Sequence, residues 1–377
     1  MTFPGGPAPH DETVALSPAW LTSVLRQRTP GVTVTATEVT ERIETVATKV
    51  RFDVAYENGA APEDAPPALC VKAYFNPATR QRGTSRAEVD FYRLLAGSLP
   101  VRTPPCVHAA VDEESGHPLL LMHDLVATGA RFGDPLMGFG RDQAAGTLDQ
   151  LAALHAATWD GEARDGGTRG GGSWDGVNTL AAATDDRKDR TDLAASFPPR
   201  LARLTGYMSA DRLQAQLDDG RAPGVPAGVR RADRLLDAVN ALAELSPAHP
   251  RCLVHGDVHT GNVYATADGS PGLIDWQVVQ YGVWALDVGY HLAAVLDPDE
   301  RARSERELLD HYLDRLAAHG GTPPGRDDAW WAYRAHLPYG FFLWGITRAV
   351  DRPITERHAA RLAQAVAWHD SFGLLGV

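Results

Sequence analysis

The chain has 377 residues, enough for two lobes with a sizeable buried core, and its 44% hydrophobic and 22% charged residues are ordinary for a globular protein. A formal charge of −12 argues against wrapping nucleic acid or coating an anionic membrane, so neither is an expected partner. Three cysteines, Cys70, Cys106 and Cys252, sit in apolar strand-like contexts with no zinc spacing. They read as buried reduced thiols of a cytoplasmic protein. Met1 to Glu12 carries no long apolar run, so no signal peptide is expected there. No segment is apolar enough to span a bilayer.

In chain order, residues 1–12 are Pro/Gly-rich and read as a frayed tail. Ser17-Pro18 caps a helix through Arg28, with proline at its first position. Val32 to Thr40, Arg51 to Tyr56 and Ala68 to Tyr74 read as strands. Ser85 to Leu95 reads as a helix with Val89, Tyr92 and Leu95 on one face. Cys106 to Val111 and Leu119 to Met122 form a hairpin pattern around Glu113 to His117. After Asp124 the pattern turns helical: Arg141 to Thr158, Asp189 to Leu217 and Arg230 to Leu245. Four more helices follow late in the chain: Leu286 to Leu296, Glu300 to His319, Ala329 to Val350 and Thr355 to Phe372. Residues 161–173 are Gly-rich and, with Asp185 to Pro199, are candidate lid segments. The predicted fold class is α+β with two lobes. Residues 1–122 form a small β-rich lobe and residues 123–377 a larger helical one.

One stretch concentrates chemistry: His255-Gly256-Asp257-Val258-His259-Thr260-Gly261-Asn262, followed by Ile274-Asp275-Trp276. Strand-like segments at Arg251 to Val254 and Pro271 to Ile274 flank it, which places polar side chains at loops held by rigid elements. Asp257, Asn262 and Asp275 fit a phosphoryl-transfer site. One carboxylate faces an acceptor hydroxyl, while an amide and a second carboxylate hold magnesium under ATP phosphates. His255, Asp257 and His259 also fit a transition-metal cluster of a hydrolase. A plain turn rich in Asp, Gly and Asn is the third reading.

A second constellation lies upstream. Lys72 falls inside the apolar strand Ala68-Leu69-Cys70-Val71-Lys72-Ala73-Tyr74, where a lysine is costly unless paired or snorkelling. Glu88 on the following helix is a candidate partner, and a Lys72–Glu88 pair would aim the ammonium at phosphate oxygens. An edge-strand lysine that blocks aggregation is the alternative.

Lys72, Glu88, His255-x-Asp257, Asn262 and Asp275 together resemble the aminoglycoside phosphotransferase and choline kinase-like group, which shares the protein-kinase fold. The resemblance runs from about Thr37 to the C-terminal helices. Its anchors include Cys70-Val71-Lys72, Arg86-Ala87-Glu88, Leu151-Ala152-Ala153-Leu154-His155, the Leu253 to Asn262 run, Leu273-Ile274-Asp275-Trp276 and Ala285-Leu286-Asp287-Val288-Gly289-Tyr290. Asp275-Trp276-Gln277 and the aromatic C-terminal segment look similar to the ecdysteroid-kinase-like bacterial branch. The resemblance implies a bilobal protein-kinase-like fold that moves the γ-phosphate of ATP, with GTP a second donor, to a hydroxyl of a small acceptor. Aminoglycosides, other antibiotics, amino sugars and amino alcohols are the acceptor classes it suggests. It implies Asp257 as catalytic carboxylate and His255 as its brace. Asn262 and Asp275 would be Mg2+ ligands. Lys72 would contact ATP phosphates and pair with Glu88. Leu121 to Leu125, with Met122 and Asp124, would be the hinge that bonds adenine, and Asp287 would accept backbone bonds from the catalytic loop.

The chain departs from the family at Glu44-Thr45-Val46-Ala47-Thr48-Lys49, the expected phosphate-covering loop, which has no glycine to bring backbone N–H groups close to phosphate. Thr45, Thr48 and Lys49 would supply hydroxyl or cationic contacts instead. That departure keeps a nucleotide-binding pseudokinase as a rival. A protein kinase fits less well, because Trp284 to Tyr290 follows Asp275 too soon for a long activation segment. The aromatics Trp330, Trp331, Tyr333, Tyr339, Phe341, Phe342 and Trp344 are candidates for the acceptor site, with helix core as the competing reading. The expected assembly is a monomer or homodimer.

Overall fold

The computed structural model describes residues 3–57, 65–80, 86–160, 193–219 and 224–377. The Gly-rich 161–173 stretch and residues 185–192 of the second lid candidate, Asp185 and Asp186 included, lie outside the described residues. The chain divides into two units. The first comprises Met1–Gly97, Thr103–Arg131 and Tyr264–Val278; the second comprises Ser98–Arg102, Phe132–Val263 and Val279–Val377. Compared with a single cut after residue 122, the β-rich unit gains a late segment that carries Asp275.

The first unit is built on a five-stranded antiparallel sheet with strand order β1-β2-β3-β5-β4. Its strands are β1 (Val34–Glu44), β2 (Thr48–Tyr56), β3 (Ala68–Ala73), β4 (Cys106–Val111) and β5 (Pro118–His123). Alternation on β2 buries Val50, Phe52, Val54 and Tyr56 on one face. Helix α1 (Pro18–Leu25) starts at Ser17, whose side chain accepts the Trp20 N–H at 3.3 Å. Its Trp20, Leu21, Val24 and Leu25 join the sheet core. Residues 3–12 are not a frayed tail. Ala8 is 1% exposed, Gly6 O accepts the Trp20 indole N–H at 3.0 Å, and Pro7 O bonds His108 Nε2 at 2.7 Å. An amphipathic indole supplies the anchor that composition does not advertise.

The expected six-residue phosphate loop is shorter than predicted. Strand β1 continues through Glu44 and β2 begins at Thr48, so only Thr45 to Ala47 turn. Thr45 closes that turn, its N–H and hydroxyl both donating to Ala47 O at 3.2 and 2.9 Å. The strand ladder continues where a flexible glycine cradle would otherwise sit. Helix α2 (Arg86–Leu94) follows and buries Glu88, Val89, Phe91 and Tyr92.

The second unit is mainly helical. It contains α3 (Arg141–Ala157), α4 (Ala210–Asp218), α5 (Ala232–Leu245), α6 (Ala285–Val295), α7 (Pro298–Ala318), α8 (Arg326–Ile346) and α9 (Arg352–Trp368). Helix α6 is buried along its whole length, and apart from Asp287, Tyr290 and His291 its sequence is apolar. A two-stranded antiparallel ribbon pairs β6 (Arg251–Val254) with β7 (Gln280–Val283). The continuous helix expected over Asp189 to Leu217 is broken. Pro198-Pro199 removes two backbone donors, and separate turns follow at Leu201–Leu204 and Thr205–Tyr207 before Ser209 caps α4. The α+β class therefore holds, with a β-rich unit and a larger helical unit. No helix among the described residues is long and apolar enough to cross a membrane. The three cysteines are free thiols.

Candidate active site

In the β-rich unit, Lys72 is 6% exposed and points from β3 into a cluster of carboxylates. Its Nζ lies 2.9 Å from Glu88 Oε1, 2.8 Å from Glu88 Oε2 and 3.1 Å from Asp275 Oδ1. Burial alone would lower the Lys72 pKa, but the charges of Asp275 and Glu88 reverse this and hold it above the usual lysine value. Burial pushes the Glu88 carboxyl up, against the pull of Lys72. The edge-strand reading of Lys72 is thus replaced by a buried ionic cluster: β3 lies between β2 and β5.

Helix α2 organises this cluster through two residues one turn apart. Glu88 Oε1 also accepts the Trp276 N–H at 3.3 Å, and the Phe91 ring stacks on Trp276 with centroids 3.9 Å apart. The Asp275-Trp276 step is therefore gripped at both backbone and side chain. Asp275 sits at φ +65°, a left-handed conformation uncommon for a residue with a Cβ. Its side chain stays 27% exposed.

Lys49 lies directly across from Lys72 in the β2–β3 ladder. Burial lowers its pKa first, and the neighbouring Lys72 charge lowers it further. Lys49 Nζ reaches Thr45 Oγ1 at 3.4 Å. Thr48 is buried at the first position of β2. Met122 pairs with Cys70 on one side and Cys106 on the other. Asp124 is 4% exposed, and both its carboxylate oxygens accept Arg51 Nε at 3.0 Å. Its Oδ1 also accepts the Val126 N–H at 2.9 Å, and its own N–H donates to Ala68 O at 3.1 Å. The Asp124 carboxylate and N–H therefore hold the chain after β5 in shape.

In the helical unit the His255 to Asn262 loop follows β6 and is held from several directions. Asp287, fully buried on α6, accepts the N–H groups of His255 at 2.8 Å and Gly256 at 2.7 Å. It also accepts His155 Nε2 at 3.1 Å, while Tyr312 OH bonds the other ring nitrogen of His155 at 2.8 Å. Gly256 takes φ +84°, and its carbonyl accepts the Tyr339 hydroxyl at 2.7 Å. His255 Nδ1 accepts the Asp257 N–H at 3.2 Å, an internal brace for the loop.

Asp257 has a side chain 32% exposed. Its Oδ1 accepts the Tyr290 hydroxyl at 2.7 Å, and its Oδ2 accepts Asn262 Nδ2 at 3.2 Å. Asn262 Nδ2 donates to Asp257 O as well, at 2.9 Å. With the amide nitrogen committed to Asp257, the Asn262 Oδ1 is the end turned away from it. An amide oxygen such as Asn262 Oδ1 is a hard donor of the kind magnesium prefers, and so, in the other unit, is a carboxylate oxygen such as those of Asp275. The rival metal cluster fares worse. His259 Nδ1 accepts the Gly261 N–H and His255 Nδ1 accepts the Asp257 N–H, which occupies one ring nitrogen of each. Among the described residues no group of three His, Cys, Asp or Glu side chains is arranged to hold a metal ion.

The aromatic set on α8 is mostly core. Tyr333, Tyr339, Phe341 and Phe342 are at most 1% exposed, Trp330 stacks on Tyr333, and Trp331 stacks on His249. Two members reach the His255 to Asn262 loop: Tyr339 through Gly256 O, and Trp344 through Tyr290 and edge-on against the His259 ring. Sequence reasoning missed Tyr290 as a site residue, because on a mostly apolar helix it reads as one more buried aromatic.

Residues 63–329 match the phosphotransferase enzyme family, and the chain belongs to that family. That family is one of phosphotransferase enzymes. A methylthioribose kinase from Geobacillus kaustophilus is 29% identical over 137 residues, a match that spans 34% of this chain and 34% of that relative. Among solved structures, a macrolide 2′-phosphotransferase from Brachybacterium faecium is 16% identical, with 91% of this chain and 97% of that chain covered at a TM-score of 0.46. A spectinomycin phosphotransferase in complex with ADP and spectinomycin is 11% identical, with 93% and 98% covered at a TM-score of 0.49.

Proposed function

We propose that this protein transfers the γ-phosphate of ATP to a hydroxyl of a small acceptor, with Asp257 as the carboxylate that receives the acceptor hydroxyl. The observation that carries this reading is the state of Asp257 in a chain of the phosphotransferase family. It is a carboxylate one-third exposed, on a loop fixed by Asp287, with neutral donors on both oxygens. Phosphoryl transfer asks a protein for alignment and charge neutralisation more than for covalent chemistry. Asp257 would accept the acceptor hydroxyl's hydrogen bond and aim its oxygen. Lys72, held as an ammonium by Glu88, would meet phosphate oxygens. Lys49 and Thr45 would serve the same end of the nucleotide, in place of glycine backbone contacts. Hinge backbone around Met122 would serve adenine. Asn262 and Asp275 would hold Mg2+, which supplies charge neutralisation to the phosphates when bound.

The β-rich unit would thus carry nucleotide binding, and the helical unit the acceptor. The acceptor would be an aminoglycoside or other antibiotic, an amino sugar or an amino alcohol. The names of the relatives give a starting panel of methylthioribose, spectinomycin and a macrolide, to which the resemblance to choline kinases adds choline. The test is ADP release with Mg2+ and ATP or GTP across that panel, with Asp257→Ala as control. The expected result is release that depends on one acceptor and is lost in the variant. Acceptor-dependent turnover that persists in Asp257→Ala would overturn the role given to Asp257.

A further inference from the structure

We infer that Tyr290 is a positioning residue for phosphoryl transfer, fixing the Asp257 carboxylate through a relay that begins at Trp344. The inference rests on the reading of Asp257 given above. Tyr290 lies on α6, fully buried, and its hydroxyl is 2.7 Å from Asp257 Oδ1. The Trp344 indole nitrogen, from α8, is 2.7 Å from the same hydroxyl oxygen. An indole N–H can only donate, so the phenol oxygen must accept from Trp344. The phenol hydrogen then has one well-placed acceptor, Asp257 Oδ1. Direction is thereby set along the chain Trp344 to Tyr290 to Asp257, with no freedom for the hydroxyl to reverse. Burial holds the Tyr290 pKa well above the usual tyrosine value, which keeps that hydrogen in place at neutral pH.

The ring itself is clamped. A Cβ at Gly340 on α8 would come within 2.5 Å of Tyr290 Cδ2, so α8 packs directly on the ring face. The Tyr339 ring also meets it edge-on, at 6.2 Å between centroids. A phenol gripped this way has little rotamer entropy left to lose when it orients the carboxylate. The consequence for Asp257 is specific. Its Oδ1 is committed inward, and its torsion is fixed before any acceptor arrives. A residue that acts by pre-setting geometry affects the turnover step more than the binding of either substrate.

The test is a double-mutant cycle on ADP release from Mg-ATP, with methylthioribose and with water alone as acceptors. Tyr290→Phe keeps the ring and removes only the hydroxyl. We expect kcat to fall roughly 10-fold with KM for ATP changed less than about 2-fold, the scale of one catalytic hydrogen bond. In the Asp257→Asn background the same change is expected to have no further effect, because the hydroxyl acts through that carboxylate. Trp344→Phe, which leaves the Tyr290 hydroxyl free to rotate, is expected to give a smaller fall of the same kind, and stands in for Tyr290→Phe if that variant does not fold. A folded Tyr290→Phe with wild-type kcat would overturn the proposal. So would an equal fold-loss in both backgrounds, which would mark the hydroxyl as structural only. If Asp257→Asn itself retains full turnover, or the wild type turns over with neither of these nor any other acceptor of the panel above, it is the reading of Asp257 that fails.

Discussion

The two units hold their key carboxylates by opposite means. In the β-rich unit Glu88 and Asp275 are met by a full charge, the Lys72 ammonium at 2.8 to 3.1 Å. In the helical unit the hydrogen bonds that Asp257 accepts come from neutral donors, a phenol and an amide, with the His259 Nε2 further off at 3.8 Å. A buried ion pair costs desolvation on both sides and collapses when one partner goes. Neutral donors orient a carboxylate without cancelling its charge. The first arrangement suits a cation that must be kept charged and aimed. The second suits a carboxylate that must stay available to a hydroxyl. Removing Asp257 should therefore hurt chemistry, while removing Lys72 should hurt the fold as well.

Asp257→Ala gives the largest expected effect. Turnover should fall by about 10³-fold, within the range for a positioned acid–base group. ATP affinity measured by calorimetry should change little, since the residue belongs to the unit without Lys72. Loss of nucleotide binding in parallel with turnover would erase the contrast between the two units.

Lys72→Met should strand two carboxylates, one 2% and one 27% exposed. A loss of roughly 3–5 kcal/mol in urea unfolding is expected. Adding Glu88→Leu should restore part of that stability, because the more deeply buried carboxylate is gone, yet restore no activity. A single-variant loss of about 1 kcal/mol or less would mean the cluster is worth no more than a surface pair.

The acid side of the stability curve should separate the units further. His291 and His336, both fully buried in the helical unit, have pKa values pushed down to about 4 by burial, and burial likewise holds His358 well below the usual range. Between about pH 6.5 and 4 the unfolded chain binds protons that the folded chain does not. Stability from these groups is therefore intact above about 6.5, falls as pH drops, and is fully lost below the folded values. The His336 Nε2 has no hydrogen-bond partner among the described residues, so replacing this residue breaks only the Nδ1 bond to Ala332 O. His336→Met should reduce the loss between pH 6.5 and 4.5 by up to about 1.4 kcal/mol per pH unit. Parallel pH curves for variant and wild type would remove His336 from the account.

The same contrast explains what the sequence made legible. Lys72 stood out because a lysine in an apolar strand breaks a local rule, and Glu88 was its natural partner on the next helix. The His255 to Asn262 run stood out because its polar residues are close in sequence. Tyr290 and Trp344 lie 33 and 87 residues beyond Asp257, on helices whose faces are buried almost throughout. Periodicity cannot mark one hydroxyl among many core aromatics. Asp287 was reached only through the family resemblance. The packed N-terminus was missed because Gly and Pro mask a single tryptophan's anchoring. The broken helix at Pro198-Pro199 was missed because the apolar spacing on both sides outweighed a local stop signal in the reading.

The smallest effect tests how much the relay depends on packing. Gly340→Ala adds one methyl group against the Tyr290 ring, at 2.5 Å from Cδ2 and 2.8 Å from Leu362 Cδ2. The ring cannot retreat freely, because its hydroxyl is bonded to both Asp257 and Trp344. Overpacking of this kind costs about 1–3 kcal/mol. Part of that strain should appear as a shifted Tyr290, and so as a few-fold lower kcat with KM for ATP unchanged. In the Tyr290→Phe background the methyl group should still cost stability but no longer reduce kcat. Both effects persisting there would mean that α8 acts on the site by a route other than the Tyr290 hydroxyl.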